Sequence, residues 1–168
     1  YNRVRMTRIF GTAHGAVEII KGLKLKEVLS YDYSIQKDAR YFNALSGAGP
    51  KSGSDAQSSK GFIEYGKLIS STSLNYVRTF ANKHHLDVLA AYEAESFQTD
   101  KAAGEKSKMP SDQLFEPDNA AVINSFVSST QDYRLLSYLT RLNYDYDNRY
   151  YIAGSFRRDG SSRLAPEH

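Results

Sequence analysis

The chain has 168 residues, enough for one domain with a sizeable core, and its 22 Lys and Arg against 19 Asp and Glu leave a net charge of +3. That excess is too small to argue for nucleic acid, and no basic cluster with interleaved aromatics suggests such a partner. The absence of cysteine excludes a disulfide framework and thiolate metal sites, and no apolar run approaches the roughly 18 residues of a membrane helix.

The apolar share is carried by aromatics, 13 Tyr and 8 Phe with no Trp. A tyrosine ring has a wide apolar body and a polar tip, which suits sheets, binding surfaces and membrane interfaces. The opening YNRVRMTRIF does not look like a signal peptide. A barrel wall remains open, because its strands alternate and keep hydropathy low.

In chain order, Ile9, Gly11, Ala13, Gly15, Val17 and Ile19 alternate with polar Thr12, His14 and Glu18. After Ile20-Lys21-Gly22, Leu23, Leu25, Leu29, Tyr31, Tyr33 and Ile35 oppose Lys24, Lys26, Val28, Ser30, Asp32 and Ser34. A three-residue turn with a left-handed Gly22 pairs Ile19 with Leu23 and joins the apolar faces, with Glu27 the clear violation. This predicts a hairpin over about 9–35.

Residues 36–66, rich in Gly, Ser and Ala, read as a long loop. A second hairpin is expected over 67–97, with Leu68, Leu74, Tyr76 and Phe80 on the face of Leu86, Val88, Ala90, Tyr92 and Ala94, and 81–85 as its turn. Residues 98–132 form a second long loop. The last hairpin covers 133–158. There Leu136, Tyr138, Thr140, Leu142, Tyr144 and Tyr146 share a face, and so do Tyr150, Ile152, Gly154 and Phe156.

Parity fixes the last turn, since opposed residues in an antiparallel ladder point to the same face. A two-residue turn at Asp147-Asn148 puts Ile152 and Phe156 on the polar side. A three-residue turn, 147–149, pairs Tyr146 with Tyr150 and Tyr144 with Ile152, so it is the one expected.

The predicted fold is all-β, an antiparallel meander of about six long strands in which short turns alternate with long loops. That alternation is the pattern of outer-membrane barrels. About 12 residues at ~3.3 Å rise and ~45° tilt climb about 28 Å, against an apolar band of roughly 25 Å. Six strands fall short of the usual minimum of about 8 for closure, so the meander is expected to be part of something larger.

The stretch 136–164 carries a resemblance. Ser137, Tyr138, Arg141, Asn143, Tyr144 and Tyr146, then Arg157, Arg158, Asp159, Gly160, Ser161, Ser162 and Arg163, resemble a barrel segment of SusC/RagA-type TonB-dependent outer-membrane transporters. Leu164 stands where that pattern ends in an aromatic, and 16–34 is similar to the same family's turn and following strand.

The resemblance implies a transmembrane barrel of about 22 strands in the outer membrane of a Gram-negative bacterium, importing oligosaccharides or peptides. It implies outer-membrane lipid around the wall, a SusD-like surface lipoprotein at the mouth, and TonB acting through an N-terminal region. No stretch of these residues resembles the plug domain, which is expected to be absent from them. No cofactor is expected.

As candidate cargo contacts the sequence offers Tyr41 and Phe42 in the first loop, Phe115 in the second, and Arg157 and Asp159 at the end of the last strand, with a structural corner at Gly160 as the plainer reading. Tyr76, Tyr144, Tyr146 and Tyr150, beside short turns, suit a membrane-interface belt into which Arg78 snorkels. His84 and His85 diverge on a strand and lack a third ligand, and Asp145, Asp147 and Asn148 lack calcium-loop spacing, so no metal is expected. Ser, His and Asp occur without a nucleophile elbow, which leaves no argument for an enzyme. The competing reading is a soluble β-sandwich carbohydrate-binding module, whose three apolar faces pack on one another; a passive porin or a siderophore receptor is a further one.

Overall fold

The computed structural model describes residues 2–44 and 56–164. Its strands are β1 (Asn2–Ile20), β2 (Leu23–Phe42), β3 (Gln57–Phe80), β4 (His84–Ser107), β5 (Val122–Tyr146) and β6 (Tyr150–Ser161), with short 3-10 turns at Pro117–Asn119 and Ser162–Leu164. Among the described residues they form one antiparallel sheet in chain order, β1-β2-β3-β4-β5-β6.

The register expected for the last hairpin is the one observed: Tyr146 pairs with Tyr150, Tyr144 with Ile152 and Leu142 with Gly154. Asp147 and Asn148 both take positive φ, 54° and 53°, and Arg149 N–H donates to Tyr146 O at 3.0 Å. The turn between β3 and β4 repeats this geometry, with Ala81 at 49° and Asn82 at 54°. It is shorter than the expected 81–85, since β4 already begins at His84. In the first hairpin Thr12 hydrogen-bonds Ser30 at 3.1 Å, as pairing Ile19 with Leu23 requires.

The strands run further than the sequence alternation does. β2 continues to Phe42, β3 starts at Gln57, β4 extends to Ser107 and β5 starts at Val122, so the regions read as loops, 36–66 and 98–132, are largely strand. In these extensions apolar residues are sparse or fall on both faces, as Phe62 beside Ile63 and Phe126 beside Val127 do, so no period-two contrast marks them. Residues 45–55 of the first expected loop lie outside the described residues.

Two compact units share these strands. One, which bears the short turns, comprises 10–32, 67–97 and 132–168; the other comprises 1–9, 33–66 and 98–131. Among the described residues of the turn-bearing unit nothing covers the apolar face. Ile152 is 64% exposed, and Leu74, Leu142 and Phe156 are exposed too. The buried residues described are Tyr41, Ala56, Ser58 and Ala120, all in the other unit. The chain exposes 12192 Å², against roughly 8,300 Å² for a folded soluble monomer of this mass. A β-sandwich is thereby overturned, because its greasy faces would meet in a dry core.

Glu27, the violation on the apolar face, has its own solution. Its carboxylate accepts hydrogen bonds from Ser70 Oγ at 2.8 Å and Thr72 Oγ1 at 2.5 Å, both from the adjacent strand. Two hydroxyl donors offset part of the cost of a charge on that face.

Candidate functional site

The polar face of the turn-bearing unit gathers its charged side chains into linked groups. Asp87 on β4 lies 3.5 Å from Arg141 Nη2 and accepts from Asn143 Nδ2 at 3.5 Å. With its amide oriented to donate, Asn75 adds bonds to Asp87 Oδ1 at 2.8 Å and Val88 O at 2.9 Å. Farther from the turns, Glu95 accepts from Lys67 Nζ at 2.8 Å and from Tyr133 OH at 3.0 Å. The Tyr133 ring stacks on Phe97 at 4.8 Å and lies under the Arg163 guanidinium at 4.4 Å. All these residues except Arg163 fall in the polar alternation of their strands, so one face carries a hydrated network while the other carries Leu and Tyr.

Arg157 and Asp159 belong to this face. Arg157 Nε donates to both Asp159 oxygens, at 2.9 and 3.0 Å, and Nη2 reaches Ser137 Oγ at 3.4 Å. With Glu93, Glu95 and Leu135 they line a cleft of about 300 Å³. The ion pair is more than half exposed on both sides, so it contributes little to stability, and its carboxylate and guanidinium edges stay available to a ligand.

The rest of the motif alternates: Arg158 and Gly160 fall on the opposite face, while Ser161 shares the Asp159 side. The corner at Gly160 is corrected by the structure. Gly160 pairs with Leu136 inside β6, and a Cβ there meets Leu136 O at an ordinary 3.8 Å. The chain leaves the sheet only at Ser162, whose Oγ accepts from Arg134 N–H at 3.0 Å, and Arg163 follows in the 3-10 turn.

Of the tyrosines expected at a membrane interface, Tyr144, Tyr146 and Tyr150 come together on the apolar face beside the turns. Tyr144 OH and His84 Nδ1 are 2.7 Å apart, His84 stacks on Phe80 at 4.7 Å, and Tyr146 lies 5.0 Å from His84 and 6.4 Å from Tyr150. Arg78 Nη1 donates to Tyr76 OH at 3.1 Å. His85 instead meets Thr79 at 2.9 Å on the polar face, so the two histidines do diverge. Among the described residues no three His, Asp or Glu side chains converge as metal ligands.

The loop aromatics divide. Phe42 is half-buried and falls in the polar alternation of β2. Tyr41 falls in the apolar alternation and is buried: its OH donates to Asp112 Oδ1 at 2.6 Å, and its ring meets Phe115 edge-on at 5.2 Å. Ser58 Oγ donates to Phe115 O at 2.5 Å, Lys60 pairs with Glu116, and Ala121 N–H closes the loop on Lys108 O at 3.2 Å. Tyr41 and Phe115 therefore fasten a folded-back loop. Sequence reasoning missed this clasp, and its signal was slight: Tyr41 keeps step with Leu25 and Leu29 along β2.

At this loop end of β2, burial first and the Asp112 carboxylate second push the Tyr41 phenol up to about 12 from its usual 10.0. A raised phenol favours the folded state fully below the unfolded value and loses that contribution as pH climbs through the folded one. Hydrogen exchange of 108–121 is expected to stay slow at pH 9 and to accelerate between about 10 and 12. Tyr41→Phe should accelerate it at neutral pH.

The comparisons agree with this architecture. No family model matches the chain. Over 153 residues it is 26% identical to a TonB-dependent receptor, P39, of Formosa agariphila, a match that covers 89% of this chain and 14% of that protein. It superposes on the RagAB peptide transporter with a TM-score of 0.83 at 20% identity, covering 98% of this chain and 18% of that one. For the RagAB peptide importer in its "closed-closed" state the TM-score is 0.84 at 19% identity, covering 98% and 19%. In its "open-open" state it is 0.82 at 20% identity, covering 96% and 18%.

The chain thus spans about a seventh of its curated relative, and the resemblance of 136–164 to SusC/RagA-type transporters is borne out along nearly its whole length. The sheet has the fold of the matching stretch of these transporters, and the proteins that it resembles are named as a TonB-dependent receptor and as peptide transporters.

Proposed function

We propose that this chain forms part of the wall of a TonB-dependent importer, with its apolar face on lipid and its polar face on the lumen of a closed barrel of about 22 strands. The observation that carries the reading is the separation of faces: Leu74, Leu142, Ile152 and Phe156 lie uncovered on one side, and the Asp87, Glu95 and Arg157 groups lie on the other. The tyrosines beside the turns form the belt at the periplasmic interface, and the longer connections face outward from the cell.

The similar likeness to the open-open and closed-closed importer supports a static role for these strands while other parts move. Energy comes from TonB acting on a part of the protein other than these strands, and a SusD-like lipoprotein covers the mouth.

Within the lumen, Arg157 and Asp159 are the cargo contacts, beside Glu93 and Glu95. Fixed charges of both signs suit the termini and side chains of a peptide better than a neutral sugar, so peptides are the favoured cargo over oligosaccharides.

The test is uptake of fluorescent oligopeptides and oligosaccharides by cells carrying the full-length protein with Arg157→Ala and Asp159→Ala together. Peptide uptake is expected to fall at least fivefold at unchanged outer-membrane abundance. Uptake unchanged for both cargo classes would remove these residues from the transport path.

A further inference from the structure

Resting on the barrel-wall reading, we propose that the loop-bearing unit holds, on its lipid-side face, a site for the phosphate headgroup of an anionic outer-leaflet glycolipid. A cavity of about 610 Å³ lies there, rimmed by Arg3 and Arg5 of β1, Lys37 of β2 and Lys60 of β3. Its floor is apolar, with Phe62, Ala102, Gly104 and Phe126, and the folded-back Phe115 closes one side.

Alternation assigns the face. Arg3 and Arg5 keep step with Gly11, Ala13 and Val17, Lys37 with Leu25 and Leu29, Phe62 with Leu68 and Leu74, and Phe126 with Leu136 and Leu142. These side chains therefore have the strand parity of the residues that meet hydrocarbon elsewhere along the same strands. Height agrees as well. β1 has 19 residues and β2 has 20, whereas about 11 at ~45° tilt cross the apolar band. The remainder of each strand passes the level of lipid headgroups.

The charge balance selects the ligand. Four cations on this face, Arg3, Arg5, Lys37 and Lys60, meet one acid, Glu116; Asp38 and Arg40 also border the cavity but alternate to the opposite face. Glu116 is taken by Lys60, and Asp38 accepts from Gln36 Nε2 at 3.2 and 3.3 Å. Among the described residues Arg3, Arg5 and Lys37 have no acidic partner within ion-pair distance. Outward cations beside a membrane attract anionic headgroups, and guanidinium forks fit phosphate in particular. An apolar floor beneath a cationic rim fits an amphiphile better than a free anion.

The experiment uses the full-length protein in detergent, with diphosphorylated lipid A, dephosphorylated lipid A and inorganic phosphate as probes, read by native mass spectrometry. The unsubstituted protein is expected to retain diphosphorylated lipid A at least tenfold better than the Arg3→Ala, Arg5→Ala, Lys37→Ala variant, with no difference for the dephosphorylated lipid. A charge-keeping variant, Arg3→Lys with Arg5→Lys, should retain most of the binding. Equal retention by the alanine variant, or binding of inorganic phosphate as tight as that of the lipid, overturns the site.

Heat-modifiable migration of the same samples reports the barrel separately. A folded barrel with unchanged lipid retention refutes this inference alone. A protein that needs no detergent refutes the wall reading with it.

Discussion

Gly22→Ala is expected to lower the stability of the full-length barrel by at least ~2 kcal/mol, with ~1–2 from a Cβ in the left-handed region and ~1 from a lost backbone bond. Gly22 has φ 86°. A Cβ there would stand 2.2 Å from Val77 O, a backbone atom that cannot swing away. The same glycine is tied on both sides: its N–H donates to Glu18 Oε1 at 2.8 Å, and its carbonyl accepts from Val77 N–H at 2.8 Å. Substitution therefore detaches the first turn from β3 as well as straining it. The check is the urea midpoint of the refolded barrel followed by heat-modifiable migration. Gly154→Ala, with nothing within 4 Å of its Cβ and no positive φ, is the control expected to change little.

Leu142→Arg carries the second large effect. Leu142 pairs with Gly154 on the exposed apolar face, several residues from the turn. A guanidinium facing hydrocarbon near mid-depth costs about 2–4 kcal/mol, less near the interfaces. On the other face Ala153, paired with Asn143, is exposed among polar neighbours, and Ala153→Arg is expected to change stability by less than about 1 kcal/mol. The same urea titration separates the two. Equal costs on both faces would mean that neither side meets lipid.

Sequence reading worked where one face of a strand is apolar and the other polar. The third hairpin was legible to its register because Tyr144, Tyr146 and Ile152 must share a side, and one residue of slip moves them all. Beyond the apolar band that constraint ends. Along 98–107, QTDKAAGEKS, both alternations are small or polar, so a strand there looks like a loop.

The turn at 81–83 was misjudged in length for a related reason. Ala81 at positive φ is an unfavourable choice that local chemistry does not announce, whereas Asp147-Asn148 does. Glu27 read as a flaw because its remedy, Ser70 and Thr72, lies on another strand.

Site residues were legible in proportion to their dependence on alternation. Arg157 and Asp159 follow from period two once the register is known, and they do meet on the polar face. The clasp of Tyr41 on Asp112 and Phe115 joins residues far apart in the chain through a loop that folds back, which no local pattern encodes. The same fold-back shapes the basic cavity.

The separation of faces is tested most directly by spin labels in a cysteine-free full-length background; these 168 residues themselves hold no Cys. Labels at Leu74→Cys, Leu142→Cys and Ile152→Cys are compared with labels at Ser73→Cys, Asn143→Cys and Ala153→Cys in proteoliposomes. The first three should relax with dissolved oxygen and be shielded from a water-soluble nickel chelate, and the second three should show the reverse. Nickel reaching both sets alike would mean that no side of these strands faces a bilayer.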